Sequence, residues 1–264
     1  MKKFLIALLL FGFNLPLAYA AVQGKEVSYQ AEGVTLKGYL AFDDAVKGKR
    51  PAVLVVHEWW GHNDYARNRA RMLAELGYVA LAVDMYGNGR QADHPDDAGK
   101  FAGEVSKNLP MARARFDAAM DLLQRQDNVD AGKLAAFGYC FGGGIVLNMA
   151  RMGADLKAAV SFHGSLGSDS PVKPGIIKGR VASFTGEADP MIGADKVAAF
   201  KQEMESARVN YRAVTYPGAK HAFTNPGADA LGKKFNLPLA YDANADKDSW
   251  KQATAMLKEV FAGK

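Results

Sequence analysis

The stretch LAAFGYCFGGG, residues 134–144, decides the fold expected for this chain. Its first four residues form an apolar run typical of a strand buried on both faces, and the glycines at its end favour the start of a helix. Cys140 stands between the two, with Gly138 two residues before it and Gly142 two residues after it. This pattern favours a nucleophile on a sharp turn, beside a helix N-terminus that stabilises negative charge. The alternative is a buried, unreactive cysteine.

Apolar runs of the same kind recur along the chain and alternate with segments of helical periodicity. Strands are expected at residues 34–40, 51–56, 78–83, 134–137, 158–162, 181–185 and 211–216. Helices are expected at 63–76, 111–126, 143–152, 191–206 and 246–261, with polar loops at 86–100 and 164–180. The alternation predicts a mostly parallel sheet with helices on both faces, in a single domain over residues 21–264. Ligands of such sheets bind at the carboxyl ends of the strands.

Two further polar residues follow the ends of later strands. Asp189 lies 49 residues after Cys140, and His221 lies 32 residues after Asp189. The order nucleophile, acid, histidine is the one that a catalytic triad on such a sheet requires. His221 would take the proton of the thiol or of a water, and Asp189 would orient its ring. A turn role for Asp189, its replacement by Glu187 and a plain loop role for His221 remain open.

The segment HEWWG, residues 57–61, follows another strand and is expected to complete an oxyanion hole. We assign the two donors to the backbone N–H groups of Phe141 and Trp59. Glu58 lies in an aromatic loop, so its pKa should be raised. It could accept the thiol proton or keep the thiol neutral, or it could cap the helix that follows or pair with an arginine. Trp60 could belong to the core or wall an apolar pocket.

These motifs together resemble the dienelactone hydrolase family over residues 30–262. The matching segments are HEWWG at 57–61, DMYG at 84–87, GYCFGG at 138–143 and GAKHAF at 218–223. The resemblance implies an α/β-hydrolase fold and hydrolysis of carboxylic esters or lactones, of the carboxymethylenebutenolidase type, without metal or other cofactor. It implies that Cys140 is the nucleophile, His221 the base and Asp189 its partner. It also implies that Glu58 holds the resting thiol and takes its proton when substrate binds.

The sequence departs from that family where substrate would be held. Dienelactone hydrolases have an arginine four residues after the catalytic histidine, which grips the substrate carboxylate, and this chain has Asn225 there. A second carboxylate-binding arginine matches Arg90 only loosely. The resemblance therefore supports the catalytic residues more strongly than it supports a specificity for dienelactones. The residues expected to bind substrate are Trp60, Tyr86, Arg90, His163, Phe223 and Asn225.

The first 20 residues have the features of a cleaved secretory signal. Lys2 and Lys3 precede an apolar run that is short for a membrane span, and Ala18-Tyr19-Ala20 resembles a signal-peptidase site. We therefore expect a periplasmic or secreted protein beginning at Ala21. Its one cysteine, Cys140, has no partner for an internal disulfide. A free thiol in an oxidising compartment must be buried or protected, and the role implied for Glu58 would protect it.

Composition excludes several classes of protein and partner. A chain of 264 residues with 49% hydrophobic and 23% charged residues is neither disordered nor a disulfide-rich miniprotein. A net charge of +5 without charged blocks favours neither nucleic acid nor, after signal cleavage, a membrane. The preferred function is hydrolysis of a small-molecule ester or lactone. The alternatives are a periplasmic binding protein on a hydrolase scaffold and thiol redox chemistry, which the lack of a resolving cysteine disfavours. Oligomeric state is not predicted.

Overall fold

Eight strands form one sheet in the computed structural model, which describes residues 22–263. They are β1 (Val22–Ala31), β2 (Val34–Asp43), β3 (Arg50–Val56), β4 (Val79–Val83), β5 (Val129–Tyr139), β6 (Ala158–Phe162), β7 (Arg180–Gly186) and β8 (Tyr211–Tyr216). Their order is β1-β2-β4-β3-β5-β6-β7-β8. The pairs β1–β2 and β2–β4 are antiparallel, and β4-β3-β5-β6-β7-β8 run parallel. The signal expected at residues 1–20 lies outside the described residues.

Seven helices within residues 22–263 connect these strands. They are α1 (Asp64–Glu75), α2 (Pro95–Ser106), α3 (Leu109–Gln124), α4 (Phe141–Arg151), α5 (Ala194–Ser206), α6 (Ala228–Phe235) and α7 (Ala243–Phe261). None of them is both long enough and apolar enough to cross a bilayer.

The core lies in layers on both faces of the sheet, because side chains alternate along each strand. In β3, Leu54 and Val56 pack into one cluster with α3 and α4, while Val53 and Val55 pack into another with α1 and α7. All four side chains are fully buried. This double coverage explains why the strand reads as an uninterrupted apolar run, and it confirms the expected fold class.

The expected strands and helices are all present, with shifted ends. Asn63 caps α1 as predicted, through a hydrogen bond from the N–H of Ala66. Two helices and one strand escaped the sequence analysis. The expected loop at 86–100 contains the start of α2, which buries only Ala98 and Val105 and so has little apolar periodicity. The short helix α6 and the largely exposed edge strand β1 also bury few side chains, so their sequences show little apolar periodicity.

Candidate active site

Cys140 occupies a tight turn between β5 and α4. Its backbone has φ 54° and ψ −117°, a conformation that residues with side chains rarely adopt and that active sites retain. The flanking glycines let other backbone pass close by. A Cβ at Gly138 would lie 2.1 Å from the carbonyl oxygen of Gly142, and one at Gly142 would lie 2.3 Å from that of Val56. The expected turn is therefore present, and the start of α4 crosses over the end of β3.

The three residues expected to form a triad are hydrogen-bonded in series. Nε2 of His221 lies 3.1 Å from Sγ of Cys140, and Nδ1 of His221 donates to Oδ2 of Asp189 at 2.7 Å. Burial lowers the pKa of His221, but the negative charges of Cys140 and Asp189 raise it by more, so the pKa lies well above its ordinary value. The imidazole can therefore hold a proton taken from the thiol, which leaves a thiolate beside it.

The carboxylate that orients His221 is that of Asp189. Its Oδ1 accepts the N–H of Met191 at 2.8 Å, so both of its oxygens have donors, and the residue is buried. Glu187, the alternative acid, is exposed and lines a separate surface cleft between β7, β8 and α5. The geometry thus pairs His221 with Asp189.

Two backbone N–H groups in the segments that meet at the Cys140 turn are available for an oxyanion. Phe141 begins α4, so its N–H has no acceptor within the helix. Neither this group nor the N–H of Trp59 donates a hydrogen bond to another group of residues 22–263. The N–H of Gly142 donates to the carbonyl of His57 at 3.1 Å and so joins the two segments. Both expected donors therefore lie in segments that meet at the nucleophile turn.

His57 holds the peptide that carries one of these expected donors, a role the sequence analysis did not assign. Its Nε2 accepts the N–H of Met85 at 3.2 Å, and its Nδ1 donates to the carbonyl of Glu58 at 2.6 Å. That carbonyl belongs to the same peptide unit as the N–H of Trp59. Burial lowers the pKa of His57, so the neutral ring keeps this tautomer. Its ring also stacks on Phe141, with centroids 5.6 Å apart. The available signal was a polar residue directly after a buried apolar strand.

Glu58 is paired with Asn225 in a buried environment. Nδ2 of Asn225 donates to Oε2 of Glu58 at 2.6 Å, whereas Oε1 of Glu58 has no hydrogen-bond partner among the described residues. Burial raises the pKa of Glu58 to about 7, and the Asn225 hydrogen bond opposes this shift. Glu58 does not cap α1, because Asn63 does so.

The resting contact implied for Glu58 differs from the one found. The resemblance implied that Glu58 holds the thiol of Cys140, but the thiol contacts His221 and the carboxylate contacts Asn225. A hydrogen bond to a carboxylate is stronger than one between neutral groups. The amide of Asn225 therefore offers Glu58 a favourable partner that does not involve the thiol.

A cleft of about 310 Å³ opens beside the thiol. It is lined by Ser106, Cys140, Phe141, Gly144, Ile145, Asn148, Ser165, Gly167, Met191, Ile192 and His221. None of the six residues expected to bind substrate belongs to this lining. The cleft is instead built from α4, the end of α2 and the loops after β6 and β7. Those loops carry no motif that would have indicated a binding role.

Three of the six lie on the loops after β3 and β4. Trp60 is almost fully buried against Trp59 and Phe235, with ring centroids 5.0 and 5.9 Å away. Tyr86 is also buried, and its hydroxyl donates to the carbonyl of Trp59 at 2.9 Å. Arg90 donates to the carbonyl of Tyr86. These residues thus support the loop that carries Trp59.

The remaining three lie behind His221 or on its loop. Phe223 is fully buried, and its ring lies 5.2 Å from that of His163. His163 is equally buried, and its Nε2 lies 2.7 Å from Oγ1 of Thr224. Burial lowers the pKa of His163, so it is neutral. Asn225 lies on the same loop and binds Glu58. For these side chains the structure shows packing and hydrogen bonding, not access to the cleft.

No group of three or more histidine, cysteine, aspartate or glutamate side chains within residues 22–263 is arranged to hold a metal ion.

Comparison with known proteins gives one consistent family. The family model of the dienelactone hydrolase family matches residues 36–261. Protein usf of Aquifex pyrophilus is 30% identical over 243 residues, which are 90% of this chain and 99% of that protein. Among solved structures, m3DLH is 38% identical, with a TM-score of 0.86, over 91% of this chain and 99% of that one. The dienelactone hydrolase-like promiscuous phosphotriesterase P91, from metagenomic libraries, is 34% identical with a TM-score of 0.83 and the same coverage.

The fold, the arrangement of the motifs and these matches agree across almost the whole described chain. The chain therefore belongs to the dienelactone hydrolase family and is a carboxylic ester or lactone hydrolase.

Proposed function

We propose that this hydrolase cleaves small carboxylic esters or lactones through an acyl-thioester on Cys140, with His221 as base and Asp189 as its orienting partner. The observation that carries the proposal is the series of two hydrogen bonds from Sγ of Cys140 through His221 to Asp189. The strained turn at Cys140 and the adjoining cleft support it.

In the first half-reaction, His221 takes the thiol proton and the sulfur of Cys140 bonds to the acyl carbon. The carbonyl electron pair moves onto oxygen, where the N–H groups of Phe141 and Trp59 stabilise it. When the tetrahedral intermediate collapses, the bond to the alcohol oxygen breaks and His221 protonates that oxygen. A lactone differs only in that its alcohol stays attached to the acyl group.

In the second half-reaction, water replaces the alcohol. His221, or Glu58 in its ionised form, removes a proton from water as its oxygen bonds to the thioester carbon. The carbon–sulfur bond then breaks, the carboxylic acid leaves and the thiol regains its proton. Glu58 acts at this stage, or on the thiol, only if the Asn225 contact opens, since the two are hydrogen-bonded at rest.

Activity of Cys140→Ala tests the proposal. We expect kcat/KM toward 4-nitrophenyl esters to fall by at least about a thousandfold, because removing a triad nucleophile leaves only binding and the oxyanion hole. Cys140→Ser should also lose most activity, since a serine hydroxyl needs a stronger base. Full activity in Cys140→Ala would refute the mechanism.

A matched pair of histidine variants controls for unspecific effects. His221→Asn should lose activity comparably to Cys140→Ala. His94→Asn should not, because His94 is an exposed N-cap of α2 and asparagine is a favoured residue there. If a broad ester and lactone panel gave no turnover with any form, while calorimetry showed tight ligand binding, the binding-protein alternative would replace the proposal.

We also propose that the chain is exported and that its mature form begins at Ala21. The proposal rests on the charged start, the apolar run and the Ala18-Tyr19-Ala20 site of the sequence. Intact mass of the protein recovered from the periplasm or medium of an expressing bacterium should correspond to residues 21–264. Recovery of the uncleaved chain from the cytoplasm alone would contradict it.

A further inference from the structure

The walls of the cleft beside the thiol are uncharged. The residues that line it include no lysine, arginine, aspartate or glutamate. The apolar side chains of the lining are Phe141, Ile145, Met191 and Ile192, and the neutral polar ones are Ser106, Asn148 and Ser165. An acyl group that enters this cleft meets apolar surface and neutral hydrogen-bonding groups, and no lysine or arginine.

Arg90, the nearest expectation for a carboxylate clamp, is committed elsewhere. Its guanidinium donates to the carbonyl of Tyr86 through Nη2 at 2.6 Å and through Nε at 3.1 Å. It pairs with Glu104 at 3.3 Å and lies over the ring of Phe101, 4.5 Å from its centroid. To reach a substrate it would have to break all of these contacts.

Asn225 is equally occupied, at both ends of its amide. Its Nδ2 donates to Glu58, and its Oδ1 accepts the N–H of Gly227 at 2.9 Å. Glu58 is itself an acid buried near the triad, so its ionised form would repel a second carboxylate there. An anionic acyl group would thus lose its hydration without gaining a cationic partner, which is costly.

A lysine lies in a groove that adjoins the cleft. Lys196 lines a groove of about 260 Å³ that shares Ser165 and Gly167 with the cleft. It is exposed, and its Nζ lies 3.4 Å from the carbonyl of Met191. An exposed lysine attracts an anion only weakly, because water screens its charge.

We propose that the enzyme prefers neutral esters or lactones with apolar acyl groups, bound between α4 and the loops after β6 and β7, and that it needs no carboxylate on the substrate. This inference rests on the proposed function, since it assigns the substrate of the Cys140 site. Specificity then comes from apolar burial of the acyl chain and exclusion of charge.

Three substrates of matched acyl length test the preference. They are 4-nitrophenyl valerate, mono(4-nitrophenyl) glutarate, which carries a terminal carboxylate, and the methyl ester of that glutarate, which restores neutrality at full size. The rate with Cys140→Ala is subtracted to remove spontaneous and intramolecular hydrolysis. We expect kcat/KM for both neutral esters to exceed that for the monoanion by about tenfold or more. Equal or higher kcat/KM for the monoanion would overturn the inference while leaving the proposed function intact. Absence of Cys140-dependent hydrolysis of all three would instead refute the proposed function.

A positive charge added to the cleft by substitution tests whether the acyl group binds there. Ser106 and Ser206 are exposed serines that each end a helix, α2 and α5, but only Ser106 lines the cleft. Ser106→Arg should raise the rate for the monoanion relative to its methyl ester severalfold, and Ser206→Arg should leave this ratio unchanged. A ratio that stays constant in Ser106→Arg would overturn the assignment of the acyl group to this cleft. If the wild type instead preferred the monoanion and Lys196→Met lost that preference, the inference would be overturned. The adjoining groove would then be the site that recognises the charge.

Discussion

At the scale of single residues, His57 explains how the backbone N–H of Trp59, a proposed oxyanion donor, is held in place. It fixes the peptide unit of Trp59 by a hydrogen bond to the carbonyl of Glu58, and it packs against Phe141, the other proposed donor. Gly61 also donates to that carbonyl, at 3.1 Å, so the peptide has two anchors. His57 touches no reacting atom and is a positioning residue.

Substitution of His57 should therefore affect kcat more than KM. His57→Ala is expected to lower kcat by up to about 100-fold, the lower end of what loss of a whole oxyanion donor costs. His57→Asn, whose amide N–H can replace the Nδ1 donor, should recover part of that loss. Steady-state kinetics with a neutral 4-nitrophenyl ester measure both. A rise in KM with unchanged kcat, or equal loss in the two variants, would count against this role.

Glu58 should make stability depend on pH. Its pKa is about 7 in the folded protein, against an ordinary value of 4.5. Between these values the folded protein holds a proton that the unfolded chain has released, so the free energy of unfolding falls as pH rises through this window. The contribution is complete below about pH 4.5 and is lost above about pH 7.

Glu58→Gln replaces the ionisable carboxyl by a neutral amide and so isolates its contribution to the pH dependence of stability. Relative to the wild type, the variant should become progressively more stable as pH increases from about 5 to about 8. Urea denaturation at several pH values measures the difference. Glu187→Gln, which removes an exposed carboxyl, is the matched control against which the trend is measured. A stability difference independent of pH in Glu58→Gln would contradict a raised pKa for Glu58.

At the scale of elements, α1 anchors the loop that carries His221. The hydroxyl of Thr224 lies 2.5 Å from that of Tyr65 and 2.7 Å from Nε2 of His163. Arg69 of α1 donates to the carbonyl of Thr224 and, at 2.6 Å, to Asp246 of α7. Two helices on one face of the sheet thus hold the segment after β8 in place.

Thr224→Val breaks this network without changing the volume much. The hydroxyl of Tyr65 would keep only the hydrogen bond from Arg69, and Nε2 of the buried His163 would lose its partner, so we expect a loss of about 1–3 kcal/mol in the free energy of unfolding. Chemical denaturation measures it. Thr215→Val, on the exposed side of β8, is the control and should cost nothing, since valine favours strands. Equal stability of Thr224→Val and the wild type would show that the network does not hold the loop.

Elements with strong apolar periodicity could be predicted, and those without it could not. β3 and α4 are mostly buried and can be identified from their residues, whereas α2 buries only two side chains and β1 pairs with β2 at an exposed edge. The same limit applies to the site. Cys140, Asp189 and His221 follow strands that the pattern identifies, so their proximity could be predicted.

The cleft could not be predicted in the same way. It depends on how loops of irregular sequence pack around α4. Arg90 and Asn225 were assigned to substrate by their position in a motif, but hydrogen bonds to Tyr86 and Glu58 engage them in the folded chain. Side-chain partners that are distant in sequence have no local signature.

At the scale of the whole molecule, the sheet brings separate sequence segments to one edge. Cys140 follows β5, Asp189 follows β7, His221 follows β8 and Trp59 follows β3. Because these strands are parallel, their carboxyl ends lie at the same edge of the sheet. Sγ of Cys140 therefore lies 3.1 Å from Nε2 of His221, although the two residues are 81 positions apart in the sequence. A shift of one residue in the pairing register of a strand would turn its side chains to the opposite face of the sheet.

The central claim, that Cys140 carries the acyl group during turnover, is tested most directly by trapping that intermediate. The enzyme is mixed with excess 4-nitrophenyl valerate, quenched in acid within the first turnovers and analysed by intact and peptide mass spectrometry. We predict a mass increase of one valeryl group on the peptide that contains Cys140, labile to hydroxylamine and absent in Cys140→Ala. Acylation of another residue, or turnover by Cys140→Ala at the wild-type rate, would contradict the account.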